Sequence, residues 1–214
     1  MGIHIEALIL FILIFLSRST ILITGVPVEA GSFSAKTELA KLFLFYIPSL
    51  ALIWHLISKS GKIDIRTAGF KKKDLPAGLI TLLCLLITGT AVAFAAAHTG
   101  GNSAQTVVRP STVFDWITLC FFCIILAYLE ESYFRFYILT NRKELNLNKV
   151  SALALSVALF SICHISGGLW SFINAFIGGS ILGFLFLRYN SFQGIAVAHS
   201  LYNIAAYAVN FHIN

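Results

Sequence analysis

The sequence predicts an all-α protein, a single membrane domain over residues 1–214 built as a polytopic bundle of about seven spanning helices. Hydrophobic residues make up 58% of the chain, charged residues make up 11%, and the mean hydropathy is +0.86. A soluble domain of this size would carry about 25% charged residues. Long apolar runs with few turn signals favour helices over the strands of a membrane barrel. The chain is therefore predicted to be an integral membrane protein.

Each apolar segment is close to the roughly 20 residues that a spanning helix needs. In chain order the predicted helices are Ile5–Thr24, Ala40–Ser58, Pro76–Ala97, Trp116–Leu139, Val150–Ile165, Leu169–Leu187 and Phe192–Val209. No Lys or Arg precedes the first apolar run and no small-residue cleavage site follows it, so we expect a spanning helix there and not a removed signal peptide. Arg18 in that segment either reaches the membrane edge or faces the bundle. The fifth segment is short, which allows a tilted or partly re-entrant helix.

Basic residues are unevenly divided between the predicted loops. One set holds ten of them: Lys59, Lys62, Arg66, Lys71, Lys72, Lys73, Arg142, Lys143, Lys149 and Arg188. The opposite loops hold three: Lys36, Lys41 and Arg109. Cytoplasmic loops are enriched in Lys and Arg, so the first set and the N-terminus are predicted to be cytoplasmic. This topology accounts for the net charge of +6, and nucleic acid is not an expected partner because no basic patch with interleaved aromatics is present.

Two adjacent glutamates interrupt the fourth apolar segment. Glu130 and Glu131 lie among Phe, Ile, Leu, Tyr and Ala residues, and Arg135 follows. A carboxylate at membrane depth is costly unless it is paired, hydrated or protonated. Positions four apart share a helix face, so Glu131 and Arg135 are predicted to form a structural ion pair. Glu130 then points elsewhere and is the candidate general base or acid.

Two further polar pairs have the same spacing of four residues. His199 and Asn203 share a face of the last segment, and Phe160 and His164 share a face of the fifth. With a helical rise of about 1.5 Å per residue, Glu130, His199 and His164 lie roughly 15, 16 and 21 Å from the cytoplasmic ends of their helices. All three depths fall near the middle of a ~30 Å hydrocarbon core. A carboxylate, two imidazoles and an amide at that depth predict water activation and oxyanion stabilisation.

Structural roles are the alternative for each of these residues taken alone. A single membrane histidine is often a hydrogen-bonding residue, and Asn203 could join two helices. Gly178-Gly179-Ser180 resembles the GxS of an intramembrane serine protease, but small residues that allow close helix contact are the stronger interpretation. The cysteines are predicted to be packing residues and not a disulfide or zinc site; they are Cys84, Cys120, Cys123 and Cys163.

Three ordered motifs resemble those of the CAAX-protease and bacteriocin-processing family, also called the CPBP or Abi family. The family patterns EExxxR, FxxxH and HxxxN read here Glu130-Glu131-Ser132-Tyr133-Phe134-Arg135, Phe160-Ser161-Ile162-Cys163-His164 and His199-Ser200-Leu201-Tyr202-Asn203. The resemblance covers Trp116 to Val209. It implies that residues 113–214 form a catalytic core, preceded by three helices in residues 1–112.

The resemblance also implies an activity, that of an intramembrane endopeptidase. In the eukaryotic branch of the family the enzyme removes the last three residues after a prenylated cysteine. By the same resemblance, Glu130 activates water with His164, and His199 and Asn203 hold the oxyanion. Glu131, Arg135 and Phe160 would support the site.

Metal dependence stays open at the level of the sequence. Glu130, His164 and His199 could ligate zinc and leave a position for water. However, His-x-x-x-Asn is not the HExxH helix of known zinc proteases. If Glu130 were a ligand, Glu131, already paired with Arg135, would be the remaining base. Metal-free catalysis is therefore favoured.

The small size and the lack of soluble domains resemble the prokaryotic members of the family. This implies an enzyme of the prokaryotic cytoplasmic membrane that acts on membrane-embedded or lipidated peptides, in bacteriocin maturation or self-immunity. A proton-coupled transporter is one alternative, because intramembrane Glu and His also serve pumps, although no internal repeat is visible. A non-enzymatic bacteriocin-immunity or scaffold protein is the other.

Overall fold

The computed structural model describes residues 3–16, 33–60, 68–99 and 110–209. Within these ranges the chain forms seven helical segments and no strand, which confirms the predicted all-α bundle. The segments are α1 (Ile3–Phe15), α2 (Ala35–Lys59), α3 (Asp74–His98), α4 (Val113–Lys143), α5 (Lys149–Ile162), α6 (Leu169–Tyr189) and α7 (Phe192–Val209). Each overlaps one predicted helix. The predicted positions of Arg18, Lys62, Arg66 and Arg109 lie outside the described residues.

Four of these helices are long and apolar enough to cross a membrane by length and composition. They are α2, α3, α4 and α6, whereas α1 and α5 are shorter apolar helices. Helix α5 ends at Ile162, three residues before the predicted end at Ile165. The chain turns there through a short 3₁₀ segment and Gly168, whose φ of 87° suits a residue without a Cβ. His164 therefore lies in the connecting turn and not within the fifth helix, which corrects the sequence-based placement.

Side-chain caps fix the starts of three helices. Thr112 and Asp115 form a capping box at the start of α4, with reciprocal side-chain to backbone hydrogen bonds. Ser34 caps α2 and Asn148 caps α5. Each cap residue directly precedes the first residue of its helix, so the chain enters each helix at a defined residue.

The second half of α4 runs through the centre of the bundle. Residues 129–139 are all buried, and Ser132–Tyr137 within them forms a π-helix. Aromatic side chains surround this stretch: Phe134 packs edge-on against Phe160. Neighbouring helices also bond to it: Ser156 Oγ donates to the Phe134 carbonyl at 2.7 Å, and Trp54 Nε1 donates to Ser132 Oγ at 3.0 Å. These contacts with neighbouring helices fix the position of Ser132–Tyr137, which directly follows the two glutamates.

Helix α1 is fastened to the same stretch by two tyrosine hydroxyls. Tyr133 Oη donates to the Ala7 carbonyl at 2.7 Å, and Tyr137 Oη donates to Glu6 Oε1 at 2.6 Å. These bonds place the N-terminal part of α1 beside the C-terminal part of α4.

Close helix contacts fix the relative directions of α3, α6 and α7. Gly78 of α3 lies against Gly194 of α7, and Gly89 lies against Tyr202 further along both helices. Because the residue numbers rise together along the contact, α3 and α7 run parallel. Gly178 lies beside Leu85, and α6 returns in the opposite direction. The small-residue interpretation of the α6 glycines agrees with these contacts.

One end of the bundle carries most of the described basic residues, and we name it the basic end. It holds the helix ends and loops with Lys59, Lys71, Lys72, Lys73, Arg142, Lys143, Lys149 and Arg188. The opposite end, named the distal end, carries Lys36 and Lys41 in the described ranges. Helices α3 and α7 begin at the basic end, and α6 begins at the distal end.

Replacing Gly194 by Ala should destabilise the protein by about 1–3 kcal/mol, the usual cost of overpacking. An added Cβ would collide with the Asp74 carbonyl oxygen and lie 3.0 Å from the Gly78 nitrogen, and backbone atoms cannot give way easily. Thermal unfolding of the purified protein in detergent measures the effect.

Gly178→Ala is the matched control, because its Cβ would meet only the Leu85 Cδ2 atom at an ordinary 3.5 Å. Its stability should equal or slightly exceed that of the parent, since Ala favours helix over Gly. Equal stability of the two variants would contradict the proposed α3–α7 contact.

Candidate active site

Arg135 forms the buried centre of the site. Its side chain is fully inaccessible to solvent, and its Nη1 lies 3.2 Å from Glu131 Oε1. Its Nη2 donates to the Gly179 carbonyl at 3.2 Å, and its guanidinium carbon lies 4.5 Å from the centre of the Phe160 ring. The ion pair predicted from the four-residue spacing is thus present, and α4 is joined through it to α6 and α5.

Glu131 also orients a histidine of the last helix. His199 Nδ1 lies 2.8 Å from Glu131 Oε1, and a carboxylate oxygen accepts, so Nδ1 is the donor. The other ring nitrogen, Nε2, lies 3.8 Å from Glu130 Oε2. The two adjacent glutamates therefore meet opposite edges of one imidazole, and all three side chains are buried.

His164 makes a different hydrogen bond from the turn after α5. Its Nδ1 lies 2.8 Å from the Phe160 carbonyl oxygen, and a carbonyl can only accept, so Nδ1 carries the proton. In the neutral ring Nε2 is then a proton acceptor. The centre of the Phe160 ring lies 4.6 Å from that of His164 and 5.9 Å from that of His199, so the phenyl ring is next to both histidines.

A cavity of about 300 Å³ adjoins these residues. Three of the predicted site residues, His164, His199 and Asn203, line it together with Phe160. Glu130 is 4% exposed and is not among the lining residues, but its Oε2 lies 3.8 Å from Nε2 of the lining residue His199. His164 from the turn after α5 and His199 and Asn203 from α7 therefore share one cavity, and Glu130 of α4 adjoins it through His199.

Other polar residues of the cavity wall were not singled out from the sequence. Asn174 Nδ2 donates to Tyr202 Oη at 3.1 Å, and both side chains line the cavity with Trp170 and Tyr207. Asn174 is an amide inside an apolar segment, the same signal that identified Asn203. Tyr202 lies within the HxxxN motif at a position where the pattern allows any residue.

The candidate zinc ligands do not form a metal-binding group in this arrangement. Within the described ranges no three His, Cys, Asp or Glu side chains are placed to hold one metal ion. Glu130, His164 and His199 therefore do not fit a shared zinc ion as they stand. All four cysteines are free thiols.

The region that contains these motifs also matches a model of a known protein family. Residues 111–205 match the model described as type II CAAX prenyl endopeptidase, Rce1-like. This part of the chain is similar to the Rce1-like family. The matched region begins just before α4 and contains the three motifs up to Asn203, so the resemblance inferred from those motifs is confirmed. Similarity to the Rce1-like family supports an intramembrane endopeptidase of the CAAX-protease type. No curated protein and no solved structure matches the chain.

Replacing Arg135 by Met should destabilise the protein by about 3–5 kcal/mol, because Glu131 would keep its charge without the guanidinium. Unfolding in mixed detergent micelles, followed by tryptophan fluorescence, measures this loss. The double variant Arg135→Met with Glu131→Gln should recover part of it, since no charge is then left unpaired at this point. Additive effects of the two substitutions would show that the ion pair contributes nothing.

Proposed function

We propose that the chain is an intramembrane endopeptidase that hydrolyses a peptide bond of a membrane-associated or lipidated substrate with a water activated by Glu130. The observation that carries this proposal is the arrangement of Glu130, His199 and Glu131 beside a cavity lined by His164 and Asn203. It supplies a base, a second proton acceptor and two donors around a space large enough for a peptide segment.

Charge balance divides the roles of the two histidines. Glu130 and Glu131 bring two negative charges into the protein interior and Arg135 brings one positive charge. An uncompensated buried charge is costly, and a proton on His199 neutralises the cluster. His199 then donates from Nδ1 to Glu131 and has a second N–H at Nε2. His164 donates from Nδ1 to a backbone carbonyl, which leaves Nε2 as the proton acceptor of the neutral ring.

Glu130 and His164 activate the attacking water in this proposal. The Glu130 carboxylate removes a proton from water as the water oxygen attacks the carbonyl carbon of the scissile bond. The unprotonated Nε2 of His164 orients the water or accepts its proton at the cavity wall. A positioned base of this kind contributes about 10²- to 10⁴-fold to the rate.

His199 and Asn203 stabilise the oxyanion in this proposal. They are one turn apart on α7 and both line the cavity, so His199 Nε2–H and the Asn203 amide can donate to the same oxygen. When the tetrahedral intermediate collapses, the proton taken from water passes to the leaving amine. The products are a carboxylate and an amine, and the site returns to its starting protonation state.

The cellular setting follows from the same proposal. Basic loops are cytoplasmic by the positive-inside rule, which puts the basic end and the N-terminus inside. The small membrane domain suits an enzyme of a prokaryotic cytoplasmic membrane, where membrane-anchored or lipidated peptides are the available substrates. Bacteriocin processing or immunity is the role that this setting favours.

Glu130→Gln should lower the rate of cleavage by about 10²- to 10⁴-fold, because Gln keeps the shape of Glu but cannot accept the proton of water. Purified protein in detergent is assayed on a library of membrane-anchored and lipidated peptides. Glu144→Gln makes the same chemical change in an exposed residue of the basic end and should leave the rate unchanged. Full activity of Glu130→Gln would overturn the role of Glu130 in activating water. Absence of cleavage by the folded parent protein on every peptide would favour instead a transport or immunity role.

Cleavage should persist in the presence of 1,10-phenanthroline. The reason is that no three candidate ligands in the described ranges are grouped for a metal ion. The assay compares initial rates with and without the chelator on the best peptide of the library. Activity that the chelator removes and added Zn²⁺ restores would assign the chemistry to a metal centre.

A further inference from the structure

We propose that a groove on the outer surface of α3 and α7 binds one anionic phospholipid from the leaflet at the basic end. An acyl chain lies along the groove, and the phosphate lies beside the lysines that precede α3. This groove is separate from the cavity of the proposed active site, and its occupancy does not depend on the proposed proteolysis.

The groove has a volume of about 290 Å³ and follows the contact between α3 and α7. Its floor is formed by residues with little or no side chain, Gly78, Gly194 and Ala198, and the backbones of the two helices meet at the glycines. Its rims are apolar and exposed: the exposed fraction is 54% for Leu79 on α3 and 46% for Leu201 on α7. The groove is therefore a concave apolar surface that is open to the acyl chains of a bilayer.

The groove is about as long as the hydrocarbon layer of one leaflet. Its lining runs from Asp74 to Leu82 on α3 and from Gln193 to Leu201 on α7. At a helical rise of 1.5 Å per residue, each of these spans is about 12 Å long. The hydrocarbon layer of one leaflet is half of a core of ~30 Å. One extended acyl chain can therefore follow the groove from the basic end towards the middle of the membrane.

Three consecutive lysines mark the basic end of the groove. Lys71 is a lining residue, and Lys72 and Lys73 follow it in an exposed turn before α3. Phe70, which is 78% exposed, precedes them at the same end. Lysines near a membrane surface attract anionic lipid headgroups, and their stems can lie on apolar surface while the ammonium groups stay hydrated. An apolar groove that ends at such lysines matches a lipid with a negatively charged headgroup.

Asp74 lies at the same end of the groove, but its carboxylate is bonded within the protein. Its Oδ2 accepts from the Lys71 backbone N–H at 2.6 Å, and its Oδ1 accepts from Ser191 Oγ at 2.5 Å. The first bond fixes the turn that carries the lysines to the start of α3. Because three lysines stand against this one buried carboxylate, the described residues at this end of the groove keep a positive balance that favours an anion.

Native mass spectrometry of the purified full chain tests the headgroup. The protein is titrated with phosphatidylglycerol or with phosphatidylcholine, both carrying two oleoyl chains. We expect one phosphatidylglycerol to bind at least ~10-fold more tightly, because phosphatidylcholine has no net charge for the lysines to attract. The double variant Lys71→Gln with Lys72→Gln should reduce this preference to ~2-fold or less.

Lys143→Gln with Lys149→Gln is the matched control for the headgroup test. It removes the same charge from two exposed residues of the basic end that do not line the groove, and should keep the preference of the parent. Three results would each overturn the assignment of an anionic lipid. They are equal affinities of the parent for the two lipids, an unchanged preference in the first double variant, and an equal loss of preference in both.

Tryptophan substitutions test whether the acyl chain lies in the groove. Leu79→Trp and Val197→Trp add bulk to opposite rims, whereas Ile80→Trp adds it to an exposed neighbour that does not line the groove. We expect phosphatidylglycerol to bind at least ~5-fold more weakly to both rim variants, and Ile80→Trp to bind it like the parent. Two rim positions are used so that one poorly folded variant does not decide the result. Equal affinities of the rim variants and Ile80→Trp would overturn the groove as the site.

A soluble anion with the same phosphate chemistry tests whether a lipid is required. Excess glycerol 3-phosphate carries the charge of the headgroup without acyl chains. It should leave the bound phosphatidylglycerol in place, because it makes no contact with the apolar rims. Displacement of the lipid would assign the lysines to a soluble phosphate and overturn the phospholipid site.

Discussion

The fold depends on one buried cation, Arg135. A buried guanidinium is costly without partners inside the protein. Here the Glu131 carboxylate, the Gly179 carbonyl and the Phe160 ring lie against it, and only Nη2 makes a hydrogen bond. Each partner comes from a different helix or turn of α4, α6 and α5. The requirement explains the glycine at position 179, where an added Cβ would lie 2.9 Å from a carbon of the Phe160 ring. These contacts thus link the helices that carry the proposed catalytic residues.

Chemical differences between the two histidines arise from their hydrogen-bond partners. His199 is bonded to a carboxylate and His164 to a backbone carbonyl. A carboxylate stabilises an imidazolium, whereas a carbonyl only selects the tautomer of a neutral ring. One buried cavity can in this way hold a donor and an acceptor made from the same side chain. Both rings line the same cavity, where His199 is buried and His164 is half-buried.

Much of this arrangement could be predicted from the sequence, because hydropathy and four-residue spacing are local. They predicted seven helices and the Glu131–Arg135 contact, and depth arithmetic brought Glu130 near His199. The early end of α5 was missed because apolar residues continue to Ile165, and hydropathy alone does not mark the turn at Cys163 and His164. Asn174 and Tyr202 were missed because their pairing joins α6 to α7 across the cavity, which no spacing within either helix reveals.

The π-helical stretch Ser132–Tyr137 has a consequence for how related sequences should be aligned. A π-turn contains one residue more than an α-turn, so α4 corresponds to a regular helix with a single residue inserted just after the two glutamates. A relative lacking that residue would keep both carboxylates in register and shift every later position by one. The aromatic residues that pack on α1 would then face another neighbour. Ungapped alignments through this motif would therefore compare non-equivalent residues on one side of it.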